Sequence, residues 1–135
     1  MILTVPYFLV VGNHDINDKD SENFYKSIFD LPEEKTYYDF TYENSHFFIL
    51  NCEEVDSKSQ ISKKQFLWLT RKLENSSSKN KFVFVHRPLF PYGPHKKHSL
   101  DKYPEKRDEL FELFKKNNVK IFFTGHEHIF NKSIH

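Results

Sequence analysis

The chain has 135 residues and a formal net charge of +1, with 38% hydrophobic, 29% charged and 17% aromatic side chains. No apolar run approaches the roughly 20 residues that cross a bilayer, and no block of like charge is long enough to form a nucleic-acid-binding arm. One cysteine, Cys52, excludes an internal disulfide and a multi-thiolate zinc site. The composition is that of a single globular domain over residues 1–135, in which imidazole, carboxylate or amide groups would have to hold any metal.

The N-terminal part of the chain predicts a strand, a polar turn and a helix. Residues 7–11 are an apolar run and indicate a buried strand, not a secretory leader. After the turn at residues 12–15, apolar side chains recur at helical spacing behind Asp20 or Ser21 as the N-cap. These apolar residues are Phe24, Ile28 and Leu31.

The compartment of the protein stays open at this level. The absence of a leader favours the cytoplasm, but residues preceding Met1 would carry any signal.

The middle of the chain predicts a hairpin followed by a helix. Residues 38–42 alternate between aromatic and polar side chains, and residues 47–50 continue extended after a polar turn. Ser62 and Gln65 form the spacing of a capping box, which is typical of the start of a helix. The apolar residues at helical spacing behind them are Phe66, Leu69 and Leu73.

The last third of the chain predicts two further buried strands separated by a helix. Residues 81–85 end at His86, and a long loop over residues 87–103 follows. Pro104 opens a helix, and residues 119–123 form the last apolar run. Because strands alternate with helices, we expect an α/β layered fold with at least partly parallel strands.

Each of the three buried-strand predictions runs into a polar turn that carries histidine. The residues concerned are Asn13 and His14, then His86, then His126 and His128. In open α/β sheets, ligands bind outside the carboxyl ends of the strands, so these groups are expected to converge. Neutral imidazole and amide oxygen suit Zn²⁺, Mn²⁺ or Fe, and the sequence therefore favours a metal site at this edge.

Each of these signals also has a purely structural interpretation. Two histidines one residue apart, His126 and His128, are typical of a solvated surface turn, and His86 beside a proline-rich loop is often structural. Residues 12–15 could form an Asx turn. His95 and His98 belong to a basic cluster that either contacts a phosphate-bearing substrate or is a solvated loop.

Metal chemistry at this edge also requires negative charge. Two divalent ions held by imidazoles and one amide would repel each other, so a bridging carboxylate is expected. Asp15 and Glu127 are the carboxylates adjacent to the histidine turns, and neither is obviously placed to bridge.

Three segments together resemble a known family. Gly12-Asn13-His14-Asp15, Val85-His86-Arg87-Pro88 and Gly125-His126-Glu127-His128 are similar, in order and in position after strands, to the last three motifs of the calcineurin-like metallophosphoesterase superfamily. The resemblance implies a four-layer α/β/β/α sandwich with metal ligands at the carboxyl ends of strands. It also implies a centre of two divalent ions, Mn, Fe or Zn, and hydrolysis of phosphate mono- or diesters by a metal-bridging hydroxide.

The resemblance also assigns roles to individual residues. The implied metal ligands are Asn13, His86 and His126 for one ion and His128 for the other. His14 would lie beside the substrate phosphate and donate a proton toward the leaving oxygen, with Asp15 holding its orientation.

The first two motifs of the superfamily, Asp-x-His and Gly-Asp-x-x-Asp, do not occur in this sequence. The bridging carboxylate and two ligands of the second ion are therefore missing, and we expect a truncated, C-terminal portion of such a domain that holds one ion. The alternative is a noncatalytic metal-binding or interaction fragment that needs an N-terminal segment or a partner chain. In either case an exposed sheet edge would promote association. The natural substrate stays open, as does the preference for monoesters or diesters.

Overall fold

One mixed sheet of four strands organises the part of the chain that the computed structural model describes, residues 6–29, 31 and 35–134. A short 3-10 turn, Leu100–Lys102, precedes the last helix. The other elements in chain order are α1 (Lys19–Phe29), β1 (Tyr38–Tyr42), β2 (Ser45–Ile49), α2 (Lys63–Glu74), β3 (Asn80–Phe84), α3 (Pro104–Lys116) and β4 (Ile121–Phe123).

The strand order in the sheet is β1-β2-β3-β4. β1 pairs antiparallel with β2, which confirms the predicted hairpin, whereas the β2–β3 and β3–β4 pairs are parallel. The expected α/β architecture with partly parallel strands is thus confirmed. Because β2, β3 and β4 run in the same direction, the segments that follow them leave the sheet at one edge.

One face of the sheet carries the main hydrophobic core. Phe48, Val83 and Phe122 lie in register across β2, β3 and β4, so their side chains share this face. Helices α2 and α3 pack over it and bury the apolar stripes that helical spacing predicts. The buried residues of these stripes are Leu69, Leu73, Leu110, Leu113 and Phe114.

The second face of the sheet is also apolar. Its side chains are Tyr38, Phe40, Tyr42, Phe47, Ile49, Phe82, Phe84, Ile121 and Phe123, interrupted by Ser45 and Asn80. A row of phenylalanine rings crosses this face with centroids between 4.6 and 6.5 Å apart. The sheet and the helices α2 and α3 that cover its first face make up two of the four layers that the resemblance implies.

The predicted strand at residues 7–11 is wrong, since this segment has no strand structure. Its Phe8 ring stacks on Phe40 with centroids 3.8 Å apart, and the Leu9 carbonyl accepts a hydrogen bond of 3.0 Å from the Tyr38 hydroxyl. The segment therefore crosses the second face of the sheet and does not extend its edge. An apolar run becomes a strand only where a neighbouring strand supplies ladder partners.

Helix α1 exists as predicted, but its N-cap and its buried face differ from the prediction. Asp18 caps the helix by accepting a hydrogen bond of 2.8 Å from the Ser21 amide. Tyr25 is buried against Val11 and Ile16, whereas Phe24, at 67% exposure, faces outward with Ile28. The contacts of Tyr25 with this small second cluster determine which face is buried, and they outweigh the spacing of the other apolar residues.

Helix α2 begins as the sequence predicts, with the Ser62 hydroxyl accepting from the Gln65 amide at 3.3 Å. The side chain of Gln65 does not complete the capping box. It instead bonds the backbone N–H and carbonyl of Asn51 at 2.9 and 2.8 Å and so fixes the segment after β2.

No helix in the described residues is both long and apolar enough to cross a membrane.

Candidate metal centre

Three of the predicted site residues come together beyond the carboxyl ends of the parallel strands. Asn13 Oδ1 lies 2.7 Å from His86 Nε2 and 3.1 Å from His126 Nδ1, and the two ring nitrogens are 3.1 Å apart. His86 follows β3 and His126 follows β4, and a hydrogen bond of 2.9 Å from the Gly125 amide to the His86 carbonyl joins the two segments. Residues more than 100 positions apart thus meet at one point.

The two clustered imidazoles are electrically neutral at pH 7. Burial is the main cause that lowers the pKa of His86; the Glu53 charge opposes this shift and the neighbouring Arg87 charge adds to it. Burial, with Arg87 and then His86 as further causes, lowers the pKa of His126 to about 4. Neutral rings keep a nitrogen lone pair, which is what a metal ion requires of histidine.

The turn that carries Asn13 approaches His86 closely. A Cβ placed on Gly12 would lie 3.3 Å from His86 Nδ1 and 3.4 Å from Asp15 Oδ2, so a larger residue would crowd the cluster. The Asp15 carboxylate accepts a hydrogen bond of 2.7 Å from the Gly12 amide and closes the turn. This closure presents the Asn13 amide to the two rings.

His14 and Asp15 lie at an apolar groove of about 380 Å³ formed by α1 and residues 9–10. Phe24 and Ile28, the exposed apolar residues of α1, line the same groove. Within the described contacts, Asp15 bonds the backbone of Gly12 and makes no hydrogen bond to His14. The roles that the resemblance assigns to these two residues stay a prediction.

His128 lies apart from the cluster. Its side chain is exposed and forms no hydrogen bond with any residue of the described ranges. Both His126 and His128 have positive φ, 68° and 54°, in the left-handed region that residues other than glycine seldom adopt. The turn therefore aims the His126 ring inward and leaves His128 on the surface.

The two candidate substrate-binding residues, His95 and His98, occupy different positions. The ring of His95 lies against that of His126, with centroids 4.2 Å apart, and so belongs to the surroundings of the cluster. His98 is exposed, and its backbone carbonyl, not its ring, contacts the centre by accepting a hydrogen bond from Arg87.

Sequence reasoning missed one polar pair at this edge. The Glu53 carboxylate, two positions after Asn51 in the segment that leaves β2, is paired with Arg87 through Nε and through Nη2, the latter at 2.9 Å. The Glu53 side chain is 1% exposed and that of Arg87 12%. The signal was present, because Glu53 follows a buried strand just as His86 and His126 do.

Glu127 lies between the two histidines of the last turn and has unusual surroundings. Both of its carboxylate oxygens are buried, and neither has a hydrogen-bond partner among the described residues. A Cβ placed on Gly93 would lie 2.0 Å from Glu127 Oε2, so a larger residue at this position would require the Glu127 carboxylate to move.

The three clustered donors fit one metal ion. Ligand atoms that each lie about 2.1 Å from an ion and at right angles to one another are about 3.0 Å apart. The 2.7 to 3.1 Å separations among Asn13, His86 and His126 match this spacing. Among the described residues, no group of three or more His, Cys, Asp or Glu side chains could hold a metal. The cluster at this edge is not such a group, since its third donor is the amide of Asn13.

Comparison with known proteins identifies the family of the chain. A sequence profile described as calcineurin-like phosphoesterase matches residues 1–130. The chain belongs to this family. Membership confirms the resemblance that the three histidine motifs indicated.

Comparison with two relatives shows what share of their length the chain covers. A probable cyclic nucleotide phosphodiesterase of Xenorhabdus bovienii is 30% identical in an alignment 132 residues long that covers 93% of this chain and 50% of the relative. The structure of purple acid phosphatase PPD1 from yellow lupin (Lupinus luteus) seeds matches with a TM-score of 0.72 at 22% identity. That match covers 90% of this chain and 24% of the lupin protein, and it confirms the fold.

Proposed function

We propose that this chain is part of a metal-dependent phosphoesterase and that Asn13, His86 and His126 hold one divalent cation. The proposal rests on three atoms that can bind a cation, two histidine ring nitrogens and one amide oxygen, which lie 2.7 to 3.1 Å from one another. If these turns were purely structural, nothing would require polar groups from three separate segments to meet at one point. Membership of the phosphoesterase family supports the same role.

Each residue contributes a defined property to this chemistry. A cation bound here would supply a lowered pKa for bound water and polarisation of a phosphoryl oxygen. Asn13 Oδ1, His86 Nε2 and His126 Nδ1 provide lone pairs, and the Asp15 carboxylate keeps the Asn13 turn closed. His14, which lines the apolar groove, would donate a proton toward the leaving oxygen of an ester.

The resemblance assigns His128 as a ligand of the second ion of the family site. This histidine lies on the same turn as His126, but its ring is exposed and outside the cluster. The Asp-x-His and Gly-Asp-x-x-Asp motifs, which would supply the bridging carboxylate, do not occur in this sequence. We therefore expect one tightly bound ion per chain, from Mn²⁺, Fe²⁺ or Zn²⁺, and hydrolysis of mono- or diesters that depends on this ion.

A second candidate function is noncatalytic metal binding. The Glu53–Arg87 pair favours it, because Arg87 already neutralises the carboxylate that follows β2. In this alternative the chain binds one ion and associates with another segment or chain, without turnover of its own.

Metal stoichiometry and turnover distinguish the two functions. Elemental analysis after Mn²⁺ or Zn²⁺ loading and removal of free ions should give one ion per chain. His126→Ala should weaken binding by about tenfold or more because one of three ligands is lost. Asn13→Ala should weaken binding as well, because it also removes a ligand. Asn131→Ala, a substitution of an exposed asparagine, is its matched control and should leave binding unchanged.

Hydrolysis of bis(p-nitrophenyl) phosphate and p-nitrophenyl phosphate is measured on the same samples. Turnover that disappears in His126→Ala would identify a phosphoesterase, whereas stoichiometric binding without turnover would identify the noncatalytic alternative. Absence of any bound ion would refute the metal centre.

A further inference from the structure

The apolar groove along helix α1 begins at the turn that presents Asn13 to the candidate metal centre. His14 and Asp15, which line the groove, directly follow Asn13 in the chain. A Cβ placed on Gly12 would lie 3.4 Å from Asp15 Oδ2 and 3.3 Å from His86 Nδ1, so the groove and the cluster flank the same residue. A phosphate ester bound at the centre would therefore have the groove within reach of its ester group.

Aromatic and aliphatic side chains of α1 form most of the wall of this groove. Phe24 is 67% exposed, and Ile28, one helical turn later, is 53% exposed on the same face. Tyr25 is buried behind them, and its ring packs against that of Phe29 with centroids 4.8 Å apart. The groove thus offers uncovered apolar surface on a helix that is fixed from the other side.

The charge of the groove disfavours an anionic or strongly polar occupant. Among the described residues that line it, none is a lysine or an arginine, and Asp15 contributes a carboxylate. The Ser21 hydroxyl, also part of the lining, already bonds the Asp18 carboxylate at 2.8 Å. Polar atoms that enter the groove would lose water without finding enough partners, whereas an uncharged apolar group would not.

The size and the aromatic content of the groove favour a ring. Its volume of about 380 Å³ is within the range of small-molecule sites. Phe24, Tyr25 and Phe29 all line it, and aromatic rings stabilise one another beyond the effect of burying their area. An aliphatic chain would gain the burial alone.

We propose that the groove binds the group esterified to the substrate phosphate, that this group is an uncharged aromatic ring system, and that Phe24 is a specificity-determining residue for it. The link to a phosphate ester rests on the proposed function. The affinity of the groove for an aromatic ring rests on α1 and does not require a cation.

Equilibrium binding of two phosphonates tests the proposal, because their carbon–phosphorus bond is not a phosphoester. 1-Naphthylphosphonate and methylphosphonate share the anionic group and differ in the ring, and both are titrated by calorimetry into the full chain loaded with Zn²⁺. Wild type should bind the naphthyl compound about tenfold or more tightly than the methyl compound, since the ring buries apolar surface in the groove.

Substitutions on α1 assign the preference to the groove. Phe24→Ser should reduce it to about twofold and leave the affinity for methylphosphonate unchanged, whereas Phe24→Tyr should retain it. Tyr42→Ser, which removes an aromatic side chain that is also 67% exposed, at the β1–β2 turn, is the matched control and should behave as wild type. Circular dichroism checks the fold of each variant, and Ile28→Ser replaces Phe24→Ser if the latter is unfolded.

Equal affinity of wild type for the two phosphonates would overturn the proposal. A preference that survives Phe24→Ser, or that is lost in Tyr42→Ser as well, would overturn the role of the groove.

Failure of the proposed function gives a different result. In that case the chain binds no zinc, and 1-naphthol, the ring without an anionic group, is titrated into the metal-free protein. Binding of 1-naphthol that is lost in Phe24→Ser would support the aromatic site without the metal centre, and absence of this binding would overturn it. Zinc-dependent binding of methylphosphonate without a naphthyl preference would instead leave the centre intact and refute the substrate class.

Discussion

At the scale of single residues, the candidate centre depends on backbone conformations that are unfavourable for the residues that adopt them. His126 and His128 both have positive φ, and each such conformation costs of the order of 1–3 kcal/mol unless the surroundings hold it. The hydrogen bond from Gly125 to His86 and the contact of His126 with Asn13 provide that support. Two of the six non-glycine residues with positive φ in the described part of the chain are thus the histidines of one motif.

The contact between Gly93 and Glu127 provides a test at this scale. Gly93→Ala should destabilise the protein, because its Cβ would lie 2.0 Å from Glu127 Oε2. Glu127→Ala should stabilise it by about 1–3 kcal/mol, since a buried carboxylate without a partner is removed. Urea unfolding followed by tryptophan fluorescence measures both changes.

The double variant decides whether the two effects share one cause. In the Glu127→Ala background the alanine at position 93 no longer meets a carboxylate, so its cost should largely disappear and the cycle should be strongly non-additive. Additive changes would show that the glycine is needed for another reason. A stability loss in Glu127→Ala would show that the carboxylate has a stabilising partner in solution.

At the scale of elements, helix α1 has a defined N-terminal cap, Asp18, whose contribution can be tested. Asp18→Ala should loosen α1, measured as faster amide hydrogen exchange over residues 19–29, because Ser21 loses its acceptor. Asp20→Ala, one of the first-turn acids, is the matched control and should have a smaller effect. Equal exchange in the two variants would contradict the capping role.

The same cap predicts a pH dependence. Hydrogen bonds from the backbone and side chain of Ser21 lower the pKa of Asp18. A carboxylate with a lowered pKa in the folded state stabilises α1 fully above its ordinary pKa, and this stabilisation is lost as the pH falls below it. Protection of α1 amides should therefore decrease in acid by more in wild type than in Asp18→Ala, in which Glu22, paired with Lys19 and Lys26, still titrates.

The elements differ in how far the sequence could predict them, and the reason is physical. The hairpin and α2 are specified by local signals, alternation and a serine cap, and both were predicted correctly. Residues 7–11 carry an equally clear apolar run, but a strand also requires a neighbour, which no local pattern encodes. The outward position of Phe24 similarly depends on where Tyr25 finds its cluster.

At the scale of the whole molecule, parallel strands explain why the site could be predicted in part. The expectation that groups after β3 and β4 meet at one edge follows from topology, and His86 and His126 do meet there. The Glu53–Arg87 pair could not be found in the same way, because it depends on which side chains reach each other across that edge. Topology places residues, whereas side-chain packing pairs them.

The second face of the sheet has consequences for association. It carries phenylalanine rings from β1 to β4, and at the β4 edge Ile121 is 47% and Phe123 43% exposed. Exposed apolar faces and unpaired strand edges promote pairing between chains. We therefore expect copies of this chain to associate through β4 and the face beside it.

Sedimentation velocity over a range of concentrations tests this expectation. Wild type should show concentration-dependent association, and the double substitution Ile121→Ser with Phe123→Ser should shift the distribution toward a species of 16.3 kDa. Leu67→Ser, which removes an apolar side chain that is 60% exposed on α2, leaves this face intact and should associate as wild type does. If the Leu67 variant dissociates as well, general surface hydrophobicity and not the β4 face drives association. If wild type sediments as a single chain at every concentration, the face does not promote pairing between copies.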